Sequence, residues 1–190
     1  MNTNLAYREP AREEIINGKV YLMSPSPITN HNRIIKNIIS IFAPFLDGKN
    51  CEAFIDGEEV HLTKDNVYIP DFMIVCNPDK VKDDAIYGAP DLVVEVLSPS
   101  TARNDRFRKK EVYEACGVRE YWLVSPADKT LEQYILTDGQ FVINEIYALH
   151  PDYYLNKLTE EERAAIPTEF KCSLYDDLII KVADVFKRVK

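Results

Sequence analysis

The sequence predicts an α/β or α+β fold in which helices flank a mixed central β-sheet. Short segments rich in Val, Ile and aromatic residues recur along the chain, and segments with a helical period interrupt them. One such helical segment separates two strongly apolar, strand-like segments, as a crossover connection does. The 190 residues can bury a sizeable core, and we expect a single domain over residues 1–190.

The first predicted unit is an N-terminal β-hairpin in "EEIINGKVYLMSPSP". Asn17-Gly18 lies between two apolar segments, and this dipeptide is typical of a type I′ turn. Pro25 and Pro27 are expected to end the second strand.

A long helix and a series of short strands are predicted next. The apolar residues of "HNRIIKNIISIFAPFL" follow a helical period, and Thr29 or Asn30 is the expected cap. We expect His31, near the start of this helix, to be a surface or capping residue. Strand-like runs follow in "CEAFIDGEEVHLT", with a turn at Asp56-Gly57, in "VYIPDFMIVCNP" and in "APDLVVEVLS".

The second half of the chain begins with the predicted crossover helix. It spans "TARNDRFRKKEVYEACG", with Ser100 or Thr101 as cap and Gly117 at its end. The buried strand "REYWLVSP" follows, and two further strands surround Asp138-Gly139. A short helix at "TEEERAAI" and a C-terminal helix in "DDLIIKVADVFKRVK" complete the prediction.

Composition narrows the classes of protein and of site. No apolar run approaches the roughly 18 residues of a membrane span, and the polar N-terminal segment lacks the apolar stretch of a secretory signal. We therefore expect a cytoplasmic protein without a membrane partner. The cysteines are scattered and form no CxxC pair, so we expect buried free thiols and neither disulfides nor a zinc site. They are Cys51, Cys76, Cys116 and Cys172.

The charge distribution allows only a local surface for nucleic acid. A net charge of −8 argues against a broad one, because binding phosphates requires clustered Lys and Arg. The segment "RNDRFRKK", residues 103–110, nevertheless has five basic residues against one acid.

Three apolar segments each carry an acid, namely Glu14, Asp71 and Glu95. Burying three carboxylates separately is costly, whereas gathering them around Mg²⁺ or Mn²⁺ removes that penalty. Asp71 alone would suit a solvated strand end, and Glu14 alone a charged hairpin edge. Glu95 is different, since its apolar neighbours leave it little access to water, and this favours a functional role.

Several of these segments together resemble the core signature of the Uma-two family of restriction-endonuclease-like proteins. They are "PDFMIV" and "GAPDLVVEVLSPSTARNDRFRKKEVYEACGVREYWLVSP", and "EEIINGKVYLMSPSPITNH" is similar to the opening segment of that family. The resemblance covers residues 10–136. It implies the PD-(D/E)XK nuclease fold, a mixed sheet flanked by helices with acids and a lysine converging at one end.

The resemblance also implies roles for individual residues. Asp71 corresponds to the acid of the PD motif, Glu95 to the strand acid and Glu14 to the N-terminal glutamate. The superfamily pattern places a lysine two positions after the strand acid, where this chain has Leu97. The family resemblance assigns that role to Lys109 on the next helix.

Helical geometry favours Lys109 over the neighbouring Lys110, which remains the alternative. Three- and four-residue spacing places Ala102, Asp105, Arg106 and Lys109 on one stripe. If that stripe faces the sheet, Lys109 can reach Glu95, whereas the next residue is rotated by about 100°.

Together these features predict a metal-dependent nuclease that hydrolyses phosphodiester bonds in DNA. Mg²⁺ or Mn²⁺ would be held by Asp71, Glu95 and the carbonyl of Val96, while Lys109 would position water or neutralise the phosphate. One alternative is a non-cutting module that binds nucleic acid or protein. Another is a structural module in which Glu95 pairs with Lys109 or Arg106 in a buried salt bridge. Whether the protein forms a homodimer stays open.

Overall fold

The computed structural model describes residues 12–22, 28–55 and 57–190. Its strands are β1 (Glu13–Ile16), β2 (Lys19–Leu22), β3 (Glu52–Ile55), β4 (Val60–Thr63), β5 (Asn66–Tyr68), β6 (Phe72–Val75), β7 (Ile86–Tyr87), β8 (Leu92–Val96), β9 (Glu120–Ser125), β10 (Thr130–Thr137), β11 (Gln140–Ala148), β12 (Glu169–Lys171) and β13 (Ile179–Lys181). Its α-helices are α1 (Thr29–Leu46), α2 (Lys110–Cys116), α3 (Asp152–Leu155), α4 (Glu160–Ala164) and α5 (Val182–Val185). A 3₁₀ turn spans Pro78–Lys80, and a π-helix, Asn104–Lys109, runs directly into α2.

A six-stranded mixed sheet forms the centre of the fold, in the order β11-β10-β9-β8-β6-β3. Strands β8 and β9 are parallel, and the other neighbours pair in antiparallel fashion. The π-helix and α2 connect β8 to β9, as a parallel pair requires. The predicted mixed sheet with flanking helices is therefore confirmed.

A second sheet contains the predicted N-terminal hairpin. Its five strands follow the order β2-β1-β5-β4-β7, and β12 and β13 form a separate pair. The turn between β1 and β2 has φ of 51° at Asn17 and 73° at Gly18. Positive φ at both central positions is what a type I′ turn needs, so the hairpin prediction is confirmed.

The central sheet is covered on both faces. Along β6, β8 and β9, alternate residues enter different cores, because successive strand side chains point to opposite faces. Phe72, Val94 and Trp122 pack with α1, α5 and the β12–β13 pair. Met73 and Val93 pack with α2 and the five-stranded sheet, so the second face is the space between the two sheets.

Two predicted strand runs are each divided between the sheets. The run "CEAFIDGEEVHLT" forms β3 and β4, and "VYIPDFMIVCNP" forms β5 and β6. In the second run Pro70 lies between the strands and has no N–H for a ladder, which explains the break. Pro25, Pro27 and Asp56, on which other predictions rested, lie outside the described residues.

The N-terminal end of α1 differs from the prediction, whereas the ends of the crossover helix agree with it. Helix α1 starts at Thr29 after Ile28, without a side-chain cap, so neither Thr29 nor Asn30 caps it. The crossover segment becomes helical at Ala102, directly after Thr101, as predicted. A turn precedes it, in which Ser98 accepts hydrogen bonds from Thr101 N–H at its hydroxyl and from Ala102 N–H at its carbonyl. Gly117 ends that segment in the left-handed region, with φ of 85°, as predicted.

The prediction of a C-terminal helix was largely wrong. The first apolar residues of that segment form β13, in which Ile180 pairs with Phe170 of β12, and both side chains enter the core. The helix that follows is a single turn, α5. The short helix predicted at "TEEERAAI" is confirmed as α4, which begins with a capping box between Thr159 and Glu162.

The prediction of four free cysteines was also wrong. Cys51 and Cys76 form a disulfide, whereas Cys116 and Cys172 are free. Strands β3 and β6 pair with Glu52 opposite Val75, so one further residue in each strand brings the two cysteines face to face. Among the described residues, none of the helices has the length and apolar character needed to cross a membrane.

Candidate active site

The register of β6 and β8 brings two of the predicted acids together. Phe72 lies opposite Val94 in this antiparallel pair, and continuing the register by one residue places Asp71 opposite Glu95. Opposing residues on one face have Cβ atoms about 4.5–5.5 Å apart. Asp71 Oδ2 accepts a hydrogen bond from the N–H of Val96 at 2.6 Å, which fixes the carboxylate against β8.

Lys109 joins the acids from the π-helix. Its Nζ lies 2.7 Å from Glu14 Oε1, 3.1 Å from Glu95 Oε1 and 3.5 Å from Asp105 Oδ1. These side chains are nearly inaccessible, with 5% exposure for Lys109 and 2% for Asp105. One ammonium therefore faces three carboxylates from three separate parts of the fold.

Further hydrogen bonds hold the two glutamates. Glu14 Oε1 also accepts the N–H of Ile69 at 3.0 Å, which ties β1 to the segment before Asp71. Tyr113 of α2 donates its hydroxyl proton to Glu95 Oε1 at 3.0 Å. Both donors to Glu95 therefore reach the same oxygen, Oε1.

The π-helix sets which side chains enter this site. Asp105 and Lys109 are its buried residues, and Tyr121 donates its hydroxyl proton to the main-chain carbonyl of Asp105 at 3.0 Å. Lys110 points elsewhere, with Nζ 4.3 Å from the centre of the Tyr134 ring. The structure thus places Lys109, and not Lys110, against Glu95. Such π-helical insertions occur frequently at functional sites.

The electrostatics of the site follow from burial and charge excess. Burial raises the pKa of Glu95 well above its ordinary value; Lys109 opposes this, while Asp105, Asp71 and Glu14 add to it. Burial likewise raises the pKa of Asp105. Burial alone would lower the pKa of Lys109, but Glu95, Glu14 and Asp105 together raise it well above the ordinary value. Lys109 is accordingly a firmly held cation.

His31 also contacts the site, contrary to the expectation of a surface or capping role. Its Nε2 lies 3.2 Å from Asp71 Oδ1, and its side chain is only 12% exposed. Ile34 and Ile35, three and four residues further along α1, are buried, so His31 lies on the same inward stripe. That spacing is the sequence signal that could have identified it.

Asp105 is another residue of the site that sequence reasoning missed, since it was not grouped with the acids Glu14, Asp71 and Glu95. It lies one helical turn before Lys109, and its Oδ1 is buried without a hydrogen bond. No set of three or more Asp, Glu, His or Cys side chains within the described ranges is arranged as a ready metal-ligand shell. The ammonium of Lys109 lies among the acids instead.

Comparison with known proteins places this geometry in a family. The family model described as "Uma2: Putative restriction endonuclease" matches residues 4–169. The chain belongs to the Uma2 family. A similar sequence, an uncharacterized protein of Synechocystis sp., is 31% identical over 139 residues, which cover 72% of this chain and 73% of that protein.

A solved structure supports the fold of this Uma2 protein. It is a crystal structure from Anabaena variabilis, described as a "putative nuclease belonging to DUF820", with a TM-score of 0.69 and 19% sequence identity. The match covers 94% of this chain and 93% of the other. At this identity the similarity establishes a shared α/β fold, while the family model confirms the predicted membership of the Uma2 family.

Proposed function

We propose that this Uma2 protein is a nuclease that hydrolyses phosphodiester bonds in DNA and depends on Mg²⁺ or Mn²⁺. The observation that carries the proposal is the opposition of Asp71 and Glu95 across β6 and β8, with Lys109 beside Glu95. Two carboxylates at opposing strand positions repel each other unless a cation lies near them.

The donor set suits a hard divalent cation. The site offers carboxylate oxygens: Glu14, Glu95 and Asp105 surround Lys109, and Asp71 lies opposite Glu95. The carboxylates therefore outnumber the lysine, which suits a divalent cation. Within the described part of the chain, Asp105 Oδ1 accepts no hydrogen bond and has Lys109 Nζ 3.5 Å away. Lys109 and Tyr113 both donate to Oε1 of Glu95, so Oε2 is the oxygen proposed to bind a cation. Asp71, Glu95 and the Val96 carbonyl are the proposed ligands, with Glu14 completing the set.

Each residue then has a distinct task in the hydrolysis. A divalent cation held by Asp71, Glu95 and the Val96 carbonyl would neutralise negative charge on the reacting phosphate and would lower the pKa of a nearby water. Val96 N–H holds the carboxylate of Asp71 in place, and Tyr113 holds that of Glu95. Lys109, whose pKa is raised by Glu95, Glu14 and Asp105, would stabilise negative charge on the phosphate or orient the attacking water.

One observation favours a non-cutting protein as the second candidate. Lys109 lies between the acids and is 5% exposed, so in this conformation its ammonium fills much of the space that a cation would need. In that case the fold would bind nucleic acid or protein without hydrolysis. Arg106 does not support the salt-bridge alternative, since it pairs with Glu132.

Cleavage of labelled DNA in the presence of Mg²⁺ or Mn²⁺ tests the proposal directly. Wild-type protein should cleave, and Glu95→Gln, which changes charge but hardly volume, should reduce the rate on the order of 10³-fold. Glu145→Gln, a substitution of an exposed glutamate on β11, serves as the control. Absence of cleavage by wild type on varied DNA and RNA would favour the non-cutting candidate.

Metal binding distinguishes the two candidates without relying on activity. Isothermal titration with Mn²⁺ should show binding by wild type and marked loss in Asp71→Ala, because Asp71 is a proposed ligand. Asp91→Ala is the matched control, since Asp91 Oδ2 likewise accepts a main-chain N–H, that of Cys76, at the far end of β6. Equal affinity of wild type and Asp71→Ala would reject the site.

A further inference from the structure

The outer side of the π-helix differs sharply from its inner side. Asp105 and Lys109 point inward, whereas Arg103, Phe107 and Arg108 are exposed. Phe107 has 61% of its surface exposed although it is a large apolar residue. A phenylalanine exposed between arginines on a short rigid segment has no role in the core.

Most of the cations on this side are not neutralised by carboxylates. Arg108 donates from Nη1 to the neutral groups Tyr21 Oη at 2.9 Å and Asn104 Oδ1 at 3.0 Å. Lys110 lies over the ring of Tyr134, and Arg103 makes no ion pair with the part of the chain that the structure describes. Arg106 differs, because Glu132 holds it. The surface therefore keeps positive charge in a chain of net charge −8.

A groove beside Phe107 gives this surface its shape. Arg106, Phe107, Lys110 and Tyr134 line it, together with Glu111 and Glu114 at the α2 end. These two acids make the α2 end of the groove acidic, so the cationic part of the surface lies toward Arg103 and Arg108. An aromatic wall next to cations is the combination that binds an unpaired base together with its backbone.

The same surface borders the acid site. Arg108 hydrogen-bonds to Tyr21, and Tyr21 is the direct cross-strand partner of Glu14 in the hairpin. Asn104, its other partner, is adjacent to Asp105. A strand bound along the outer side of the π-helix is thus one side chain away from elements that carry the site.

We propose that the outer surface of the π-helix, formed by Arg103, Phe107, Arg108 and Lys110, docks single-stranded nucleic acid, with an unpaired base stacked on Phe107. In duplex DNA both faces of each base are covered by neighbouring bases, so Phe107 favours a strand with unpaired bases. This assignment rests on the proposed nuclease function for its purpose, but it is tested by binding alone.

Binding is measured by fluorescence anisotropy with a labelled single strand and with the matching duplex, on full-length Glu95→Gln protein in the absence of divalent metal. Phe107→Ala should weaken binding of the single strand roughly 5- to 150-fold, with an unchanged salt slope. Phe107→Trp should retain affinity. Tyr153→Ala removes a similarly exposed aromatic ring on α3 and should have no effect.

A second variant tests how much the positive charges of the surface contribute to binding of the single strand. Replacing Arg103, Arg108 and Lys110 by Gln should reduce the slope of log affinity against log salt by about 2, since each phosphate contact on a single strand contributes about 0.7. The control replaces the exposed Lys36, Lys157 and Lys187 by Gln and should change the slope less.

The outcomes separate this inference from the nuclease proposal. If Phe107→Ala binds the single strand as Tyr153→Ala does, or if the duplex binds as tightly as the single strand, the docking surface is rejected, whether or not wild type cleaves DNA. Binding as expected without cleavage by wild type would reject the nuclease and keep the surface. Absence of any binding to nucleic acid overturns the docking surface.

Discussion

Two buried glutamates on neighbouring parallel strands are held in opposite ways. Glu95 of β8 lies on the face toward the five-stranded sheet, where it shares one lysine with other acids. Glu120 of β9 lies on the face toward α1, with no exposed surface. Its carboxylate accepts hydrogen bonds from Trp122 Nε1 at 2.5 Å and Gln133 Nε2 at 2.6 Å, and from Cys172 and Ser173.

The comparison shows that burial of a carboxylate does not by itself indicate function. Neutral donors surround Glu120, so its charge is solvated by the protein and nothing is left for a ligand to satisfy. Around Glu95 the acids exceed the cations, and Asp105 Oδ1 lacks a hydrogen bond. Unbalanced charge, more than burial, identifies the site that is suited to bind something.

The largest expected effect comes from replacing Lys109, the lysine that faces the excess of acids around Glu95. Lys109→Met keeps the apolar stem and removes the charge, so cleavage should fall on the order of 10³-fold. Mn²⁺ affinity should be kept or increased, because the acids lose the ammonium that faces them. Single-turnover cleavage and titration calorimetry measure the two quantities. Lys110→Met is the control and should only weaken DNA binding in a salt-dependent way; the reverse ranking would identify Lys110 as the active-site lysine.

The corresponding substitution at Glu120, whose carboxylate is fully hydrogen-bonded, should lower stability and leave the cleavage rate unchanged. Glu120→Gln places an amide among donors, which we expect to cost about 3 kcal/mol in the free energy of unfolding. Urea denaturation measures that cost, and cleavage per folded molecule should be unchanged. If Glu120→Gln loses cleavage but keeps the wild-type free energy of unfolding, Glu120 takes part in function, and the distinction between Glu120 and Glu95 is wrong.

A smaller effect is expected from the histidine beside Asp71. Partners of ligating carboxylates commonly tune metal affinity by about 10- to 100-fold. His31→Leu should weaken Mn²⁺ binding within that range, and His31→Gln, which can still donate to Asp71 Oδ1, should restore most of it. His150→Leu, a remote histidine stacked on Tyr154, is the control. Wild-type affinity in His31→Leu would assign His31 a purely structural role.

The smallest effect is a pH dependence of stability without metal. Because the pKa of Glu95 is raised in the folded state, the folded protein binds more protons than the unfolded chain from about pH 4.5 up to that raised pKa. The free energy of unfolding should therefore fall as pH rises through this window, by about 1.4 kcal/mol for each pH unit. Glu95→Gln should flatten the curve, and its free energy of unfolding should increase relative to that of wild type as pH rises above about 4.5.

A decrease in the free energy of unfolding of Glu95→Gln, instead of the expected increase, would be equally informative. If Glu95→Gln instead loses about 3–5 kcal/mol at every pH, Glu95 is a structural partner of Lys109, because breaking a buried ion pair leaves an uncompensated charge. Thermal unfolding followed across the pH range separates the two cases.

Local patterns in the sequence predicted much of the fold. Asn17-Gly18 identified the hairpin, and the periodicity of Ile34, Ile35 and Ile38 identified α1. The C-terminal segment failed because a short apolar run such as "LII" fits a helix and a strand equally, and only its pairing with β12 decides. The disulfide was missed for a similar reason, since the register of β3 and β6 is a non-local property.

The candidate site was predicted only in part, because an acid stands out in the sequence only where its neighbours are apolar. Glu14, Asp71 and Glu95 stood out as acids in apolar segments, and the structure brings them near Lys109. Asp105 did not stand out as an acid because it lies in a charged helical segment, where acids are ordinary. Glu120 did not stand out either, although its strand is as apolar as β8, so sequence pattern alone could not separate it from Glu95.

The attachment of the hairpin has a consequence for how the site opens. Strand β1 pairs with β5 through Ile15 opposite Val67, and the turn adds bonds from Gly18 to Asp65 and from Asn17 to Asn66. Glu14 adds its contacts with Ile69 N–H and Lys109. Because these contacts are few, the hairpin can separate from β5 by sub-global opening, at a free energy well below that of global unfolding. Glu14 would leave with the hairpin and admit solvent to Lys109. Hydrogen exchange should then be faster at the amides of β1 than at those of β8.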